Sequence, residues 1–139
     1  MDRCLLDTST LSDVIDLRAK RLPRVSQRAK SYLRAHGHFI FSEISCYEVL
    51  RGLRKKGAIR QEERFHSFCQ HCERLPVSPE VFDRAATLWA DGQRRGIVVG
   101  DADLIIAATA LIENFTLTTS NTRHVEWIAG LTLVDWRMP

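Results

Sequence analysis

From Leu104 to Leu111 the chain reads LIIAATAL, with aliphatic or small residues on every face of a helical projection. That pattern predicts a central helix covered by protein all round. The two residues that open it on the polar side are Asp101 and Asp103. Asp101 is placed to cap the helix, and Asp103, in the first turn, gains from the positive end of the helix dipole. Asp103 shares one helical row with Ala107 and Ala110, whose small side chains leave room beside the carboxylate.

Elsewhere short apolar runs alternate with amphipathic stretches. Strands are predicted at 3–6, at 38–41, at 75–78 (an edge strand, because of Pro76), at 115–118 and at 131–135. Between them helices are predicted at 10–17, capped by Thr8 or Ser9, at 26–35, ended by Gly37, at 43–54, at 59–73, and from Pro79 or Glu80 to Arg94. On the last of these Val81, Phe82, Ala85, Leu88 and Trp89 are expected to face inward. Thr119, Ser120 and Asn121 form a polar turn that caps a short helix toward Trp127. Single strands separated by helices predict α/β class: a three-layer α/β/α sandwich with a central parallel sheet.

A chain of 139 residues, 45% hydrophobic and 27% charged, has the size and composition of one soluble domain spanning residues 1–139. No apolar run approaches the ~20 residues of a membrane span, and the N-terminal CLL is too short for a signal-peptide core, so a cytoplasmic location is expected. Cys4, Cys46, Cys69 and Cys72 are then expected as thiols. A zinc reading of His66, Cys69, His71 and Cys72 competes with an apolar stripe of Phe65, Phe68, Cys69, Cys72 and Leu75. The stripe is the better explanation, and no structural zinc is expected.

The net charge of +3 hides an uneven distribution. Twelve cations lie between Arg18 and Arg60, against only Glu43 and Glu48. Such a field attracts polyanions, either nucleic acid or an acidic protein.

Asp7 follows the first strand, Glu48 lies on the helix after the second, and Asp103 opens the central helix. In a parallel sheet those positions converge on the carboxyl edge. Two carboxylates ~4 Å apart repel by roughly 4 kcal/mol at an effective dielectric of ~20, so three together require protonation or a cation. All-oxygen donors without clustered His favour Mg²⁺ or Mn²⁺, ions that bind phosphate oxygens and acidify water. Beside basic flanks, the natural substrate is a phosphodiester backbone.

Four stretches carry a family resemblance: LLDTS at 5–9, SCYEVLRGL around Glu48, DLIIAATAL at 103–111 and TTSNTRHV at 118–125. In this order and spacing they resemble the PIN-domain nucleases across essentially the whole chain, and in length the VapC toxins of type II toxin–antitoxin systems. The resemblance implies a PIN fold, Mg²⁺- or Mn²⁺-dependent endoribonuclease activity, a homodimer, and inhibition by a VapB-type antitoxin that wraps the toxin. It implies operator DNA binding only through the antitoxin, and an RNA substrate, tRNA or rRNA, with tRNA the leading choice. Asp7, Glu48 and Asp103 become the catalytic, metal-binding acids. Asn121 stands where many members carry a fourth acid, and it ligates without charge. Asp101 is an auxiliary ligand, while Thr8 and Thr119 either position an acid or water or serve as caps.

Two other classes fit parts of the pattern. An aspartate-nucleophile phosphohydrolase would also end its first strand in Asp, but such enzymes carry a second Asp two positions on, where this chain has Ser9. A receiver-like module would bind metal and a partner and cleave nothing.

Overall fold

In a computed structural model that describes residues 2–16 and 22–139, five short strands form one all-parallel sheet. They are β1 (Cys4–Leu6), β2 (Ile40–Ser42), β3 (Glu73–Leu75), β4 (Thr116–Thr118) and β5 (Leu133–Val134), in the order β3-β2-β1-β4-β5. The helices are α1 (Thr8–Ile15), α2 (Pro23–His36), α3 (Glu43–Lys55), α4 (Ile59–Cys69), α5 (Pro79–Arg94), α6 (Asp101–Glu113) and α7 (Thr122–Val125).

The central strand β1 reads as a continuous apolar run, buried along its length, because both faces of the sheet are covered there, whereas the edge strand β3 carries the exposed Glu73 and Arg74. Leu5, in register with Ile40 and Leu117, packs under α6 and α7 with Ile106, Ala107 and Val125. Its neighbour Leu6 points the other way, with Phe41, into a core built by Leu11, Val25, Tyr32, Cys46 and Phe65 from α1 to α4. Both leucines are fully buried. The result is the α/β/α sandwich that the alternation of elements predicts.

Several boundaries differ from expectation, each for a local reason. The second helix begins at Pro23 rather than Ser26, because Pro at the first helical position needs no N–H partner and has φ already set. Gly37 ends it as predicted, at φ +85°, where a side chain would be strained. The helix expected over 59–73 stops at Cys69, and residues 73–75 form the edge strand, two residues earlier than expected. Pro76 lacks the N–H to prolong the pairing with β2.

On α5 Val81, Ala85 and Gly92 are buried and Leu88 partly so; Val81 and Ala85 meet Ala108 of α6, and Gly92 lies against Trp127. These small residues allow a close approach, and Phe82 and Trp89 are left outside, contrary to the inward placement expected. Phe65 and Cys69 are buried in the first core, with Phe68 and Cys72 packed against it, so the stripe reading of that helix holds. The predicted helix end at Leu17 and the cations Arg18, Lys20 and Arg21 lie outside the described residues. Among the described residues no helix is long and apolar enough to cross a membrane.

Candidate active site

Asp7 sits at the turn from β1 into α1 and is itself the cap of that helix, a role expected of Thr8 or Ser9. Its Oδ1 accepts the Thr10 N–H at 2.9 Å and the Ser9 hydroxyl at 2.7 Å. The turn is tied across the sheet to the end of β4. The Asp7 N–H and the Thr10 hydroxyl both donate to the Thr118 carbonyl, at 3.0 and 2.9 Å, and the Ser120 N–H donates to Ser9 Oγ at 3.2 Å. Asp7 is therefore held rigidly while only 6% exposed. Burial pushes its carboxyl upward in pKa, opposed by hydrogen bonds from Thr119, Thr10 and Ser9.

Asp103 enters from the opposite side, in the first turn of α6. Gly100 is the cap of that helix, so Asp101 is its first residue rather than its cap, and it is exposed. Asp103 is also pushed upward, first by burial and then by the negative charges of Glu48 and Asp7, with His124 acting in the other direction. The charges of Glu48 and Asp7 thus reach Asp103, as expected where acids from separate elements face one edge of a sheet. Ala107 and Ala110, in the same row, are fully buried.

Glu48 is held from α1 as well as from its own helix. The Thr8 hydroxyl donates to Glu48 Oε1 at 2.6 Å, with Ser45 Oγ 3.2 Å from the same hydroxyl. On the outer side Arg51 donates to Glu48 Oε2 at 3.3 Å. Thr8 is thus a positioning residue for an acid. Thr119 closes the turn ahead of α7 and does not cap that helix, whose cap residue is Asn121: its hydroxyl accepts the Asn121 N–H at 3.0 Å and also bonds Asp7.

Asp7, Asp103, Thr119, Asn121 and His124 line one small opening at the carboxyl ends of β1 and β4. Glu48 and Thr8 line the adjoining groove of about 630 Å³, floored by Val49, Leu53, Phe65 and Phe68. Asp101 lines neither. Among the described residues no three His, Cys, Asp or Glu side chains stand close enough together to enclose an ion as placed. His124, with Nδ1 3.9 Å from Asp103 Oδ2, is a residue that sequence reasoning did not single out. Its signal lay in its place three residues after Asn121, one turn along a helix that leads out of the site.

The chain is similar to known proteins in sequence and in fold. A family model described as the PIN domain matches residues 4–127. Ribonuclease VapC1 of Methanocaldococcus jannaschii is 29% identical over 135 residues, covering 96% of this chain and 88% of that protein. Ribonuclease VapC2 of Rickettsia felis is 28% identical over 96 residues, covering 68% of this chain and 72% of that protein. The fold is shared with a chain in the crystal structure of VapBC2 from Rickettsia felis bound to a DNA fragment from their promoter. There the TM-score is 0.83 at 24% identity, covering 96% of this chain and 98% of the other.

Proposed function

The chain belongs to the PIN-domain family, and from that premise we propose that it is a VapC-type endoribonuclease, the toxin of a toxin–antitoxin pair, built as one catalytic domain over residues 1–139. The observation that carries the reading is the meeting of Asp7 and Asp103 at one opening on the carboxyl edge of the sheet, with Glu48 close enough to raise the pKa of Asp103.

The donor set suits a hard divalent cation. It consists of carboxylate, amide and hydroxyl oxygens, and the repulsion that Glu48 and Asp7 exert on Asp103 is a cost that a cation would offset. Asp7, Glu48 and Asp103 are the residues to hold Mg²⁺ or Mn²⁺, with Asn121 as an uncharged fourth ligand and Asp101 in an outer position. When bound, such an ion supplies Lewis acidity at a phosphate and a lowered pKa for water. The chain's own groups provide the rest. Thr8 fixes the rotamer of Glu48, and Ser9, Thr119 and the Thr10 N–H aim Asp7. His124 places a nitrogen beside Asp103, and Arg51 offers a guanidinium to the substrate backbone.

In this reading the regulator is a VapB-type antitoxin, and operator DNA is reached through it. The groove beside Glu48, with its apolar floor and the cations Lys56 and Arg64 at its rim, offers that partner a seat next to the acids. Self-association as a homodimer would cover the exposed Phe82 and Trp89 of α5. The proposed place of action is the cytoplasm.

The test compares the purified chain with Asp7→Asn and Asp103→Asn on total RNA and on tRNA, the first substrate to assay, with Mg²⁺, Mn²⁺ or EDTA. Discrete fragments that need both the metal and the two acids support the proposal. Fragments that survive EDTA or either substitution refute it.

A further inference from the structure

Tyr47 is 55% exposed although it lies next to Glu48 on α3, a helix whose neighbouring Cys46 and Val49 are buried. Its ring is paired with a cation: the Arg51 guanidinium carbon lies 5.1 Å from the ring centroid. The same guanidinium holds Glu48 Oε2 at 3.3 Å, so one side chain joins the exposed aromatic ring to an acid of the proposed site. Around the ring, Glu43, Cys46, Leu50, Arg51, Arg54 and Lys55 line a shallow depression on the outer face of the helix, in which Glu43 is paired with Arg74 and Arg54 with Glu62.

An aromatic face edged by cations is the arrangement that receives single-stranded nucleic acid. Bases stack on the ring without regard to sequence, and the cations follow the phosphates. Arg51 is 58% exposed, so it can contact a phosphate while still leaning on Tyr47. We propose that Tyr47 and Arg51 form a nucleotide subsite in which Tyr47 stacks the base of a nucleotide flanking the cut and Arg51 holds the adjacent phosphate. The proposal rests on the ribonuclease reading and adds a positioning element to it: the subsite sets where along an unpaired strand the backbone meets the acids.

The test uses the full chain and an RNA oligonucleotide that spans a cleavage site mapped in total RNA. Tyr47→Ala is expected to raise KM about tenfold, the loss of one stacked base, with kcat within about twofold of the parent. Tyr47→Phe should restore the parental KM, since the ring and not the hydroxyl does the stacking. Oligonucleotides made abasic at each flanking position in turn supply a second readout. One abasic position should raise the parent's KM by the same factor and leave that of Tyr47→Ala unchanged.

A parent that cleaves while Tyr47→Ala keeps the parental KM overturns the subsite and leaves the nuclease reading standing. A Tyr47→Ala chain that loses self-association on sizing, with KM unmoved, assigns the ring to a protein interface and likewise overturns it. A parent that yields no metal-dependent fragments removes both.

Discussion

The C-terminal segment bears on the site through one ion pair. Arg137 donates to both oxygens of Asp13, each at 2.7 Å, and Asp13 lies two turns along the helix that Asp7 caps. The Asp13 side chain is only 10% exposed, whereas that of Arg137 is 46% exposed. In Arg137→Ala the loss therefore falls mainly on Asp13, a carboxylate left with little water to replace two charge-assisted bonds. Truncating one partner of a fully buried pair costs about 3–5 kcal/mol, and exposed pairs are worth under about 1. The half-open geometry points to about 2 kcal/mol. With unfolding entropy near 2.1 cal/mol/K per residue, a chain of this length should lose roughly 7 °C in Tm. The assay is thermal unfolding by circular dichroism on the parent, Arg137→Ala, Asp13→Ala and the double variant. The double variant should be little worse than either single one, giving a coupling energy of at least ~1 kcal/mol. A Tm loss below about 2 °C in Arg137→Ala, or a coupling energy within ~0.5 kcal/mol of zero, would show that solvent already replaces this clamp and that the reasoning fails.

Other perturbations separate stability from chemistry. Asp7→Asn should abolish cleavage yet raise Tm in EDTA at neutral pH. Burial raises the folded-state pKa of Asp7, so ionising the carboxylate costs stability as pH rises through that value. Asn keeps an acceptor for Thr10 and Ser9 without that cost. The Tm difference should vanish below about pH 3, where the carboxyl is protonated in both states, grow as pH rises from the ordinary value of ~4 through the raised folded one, and then level off; a parent equal to or more stable than the variant in EDTA at pH 7 would contradict the assignment. Thr8→Val, which removes the 2.6 Å bond to Glu48, should lower kcat about tenfold while costing less than about 1.5 kcal/mol in thermal unfolding. A kcat within twofold of the parent would mean that Glu48 needs no help from α1. Burial pushes the Cys69 thiol to about 12 and the Cys72 thiol to about 11. Alkylation of the folded protein at pH 8 should therefore modify both at least ~50-fold more slowly than in denaturant, followed by peptide mass spectrometry. Rapid labelling of Cys69 in the folded chain would contradict its burial.

The positions of the three proposed acids were legible because each lies at a junction of patterns: Asp7 where an apolar run ends, Asp103 where the all-apolar helix begins, and Glu48 on a helical row separate from the stripe of Cys46 and Val49. Thr8 and Thr119 were legible as polar residues at turns, but not in their division of labour. Whether a threonine caps a helix or orients a carboxylate depends on what stands across from it. Thr8 meets Glu48, forty positions away, and Thr119 meets Asp7. His124 was hidden for the same reason, since its relation to Asp103 exists only once α7 is laid beside α6. The outward Phe82 and Trp89 show the limit of periodicity, which ranks positions by hydrophobicity, whereas contact with α6 admits only the narrow side of α5 lined by Val81 and Ala85.

By itself the order of apolar and polar residues determined the α/β/α architecture, the parallel sheet and the meeting of Asp7 and Asp103 at its carboxyl edge. These follow from local periodicity and from the few ways in which one-sided helices can cover both faces of a sheet. Only the tertiary structure decided that Asp7 caps its own helix, that Asp101 stands outside the opening, that Arg51 links Tyr47 to Glu48, and that the chain's end clamps Asp13. Such relations depend on distance and burial between residues remote in sequence, and short-range pattern carries no record of either.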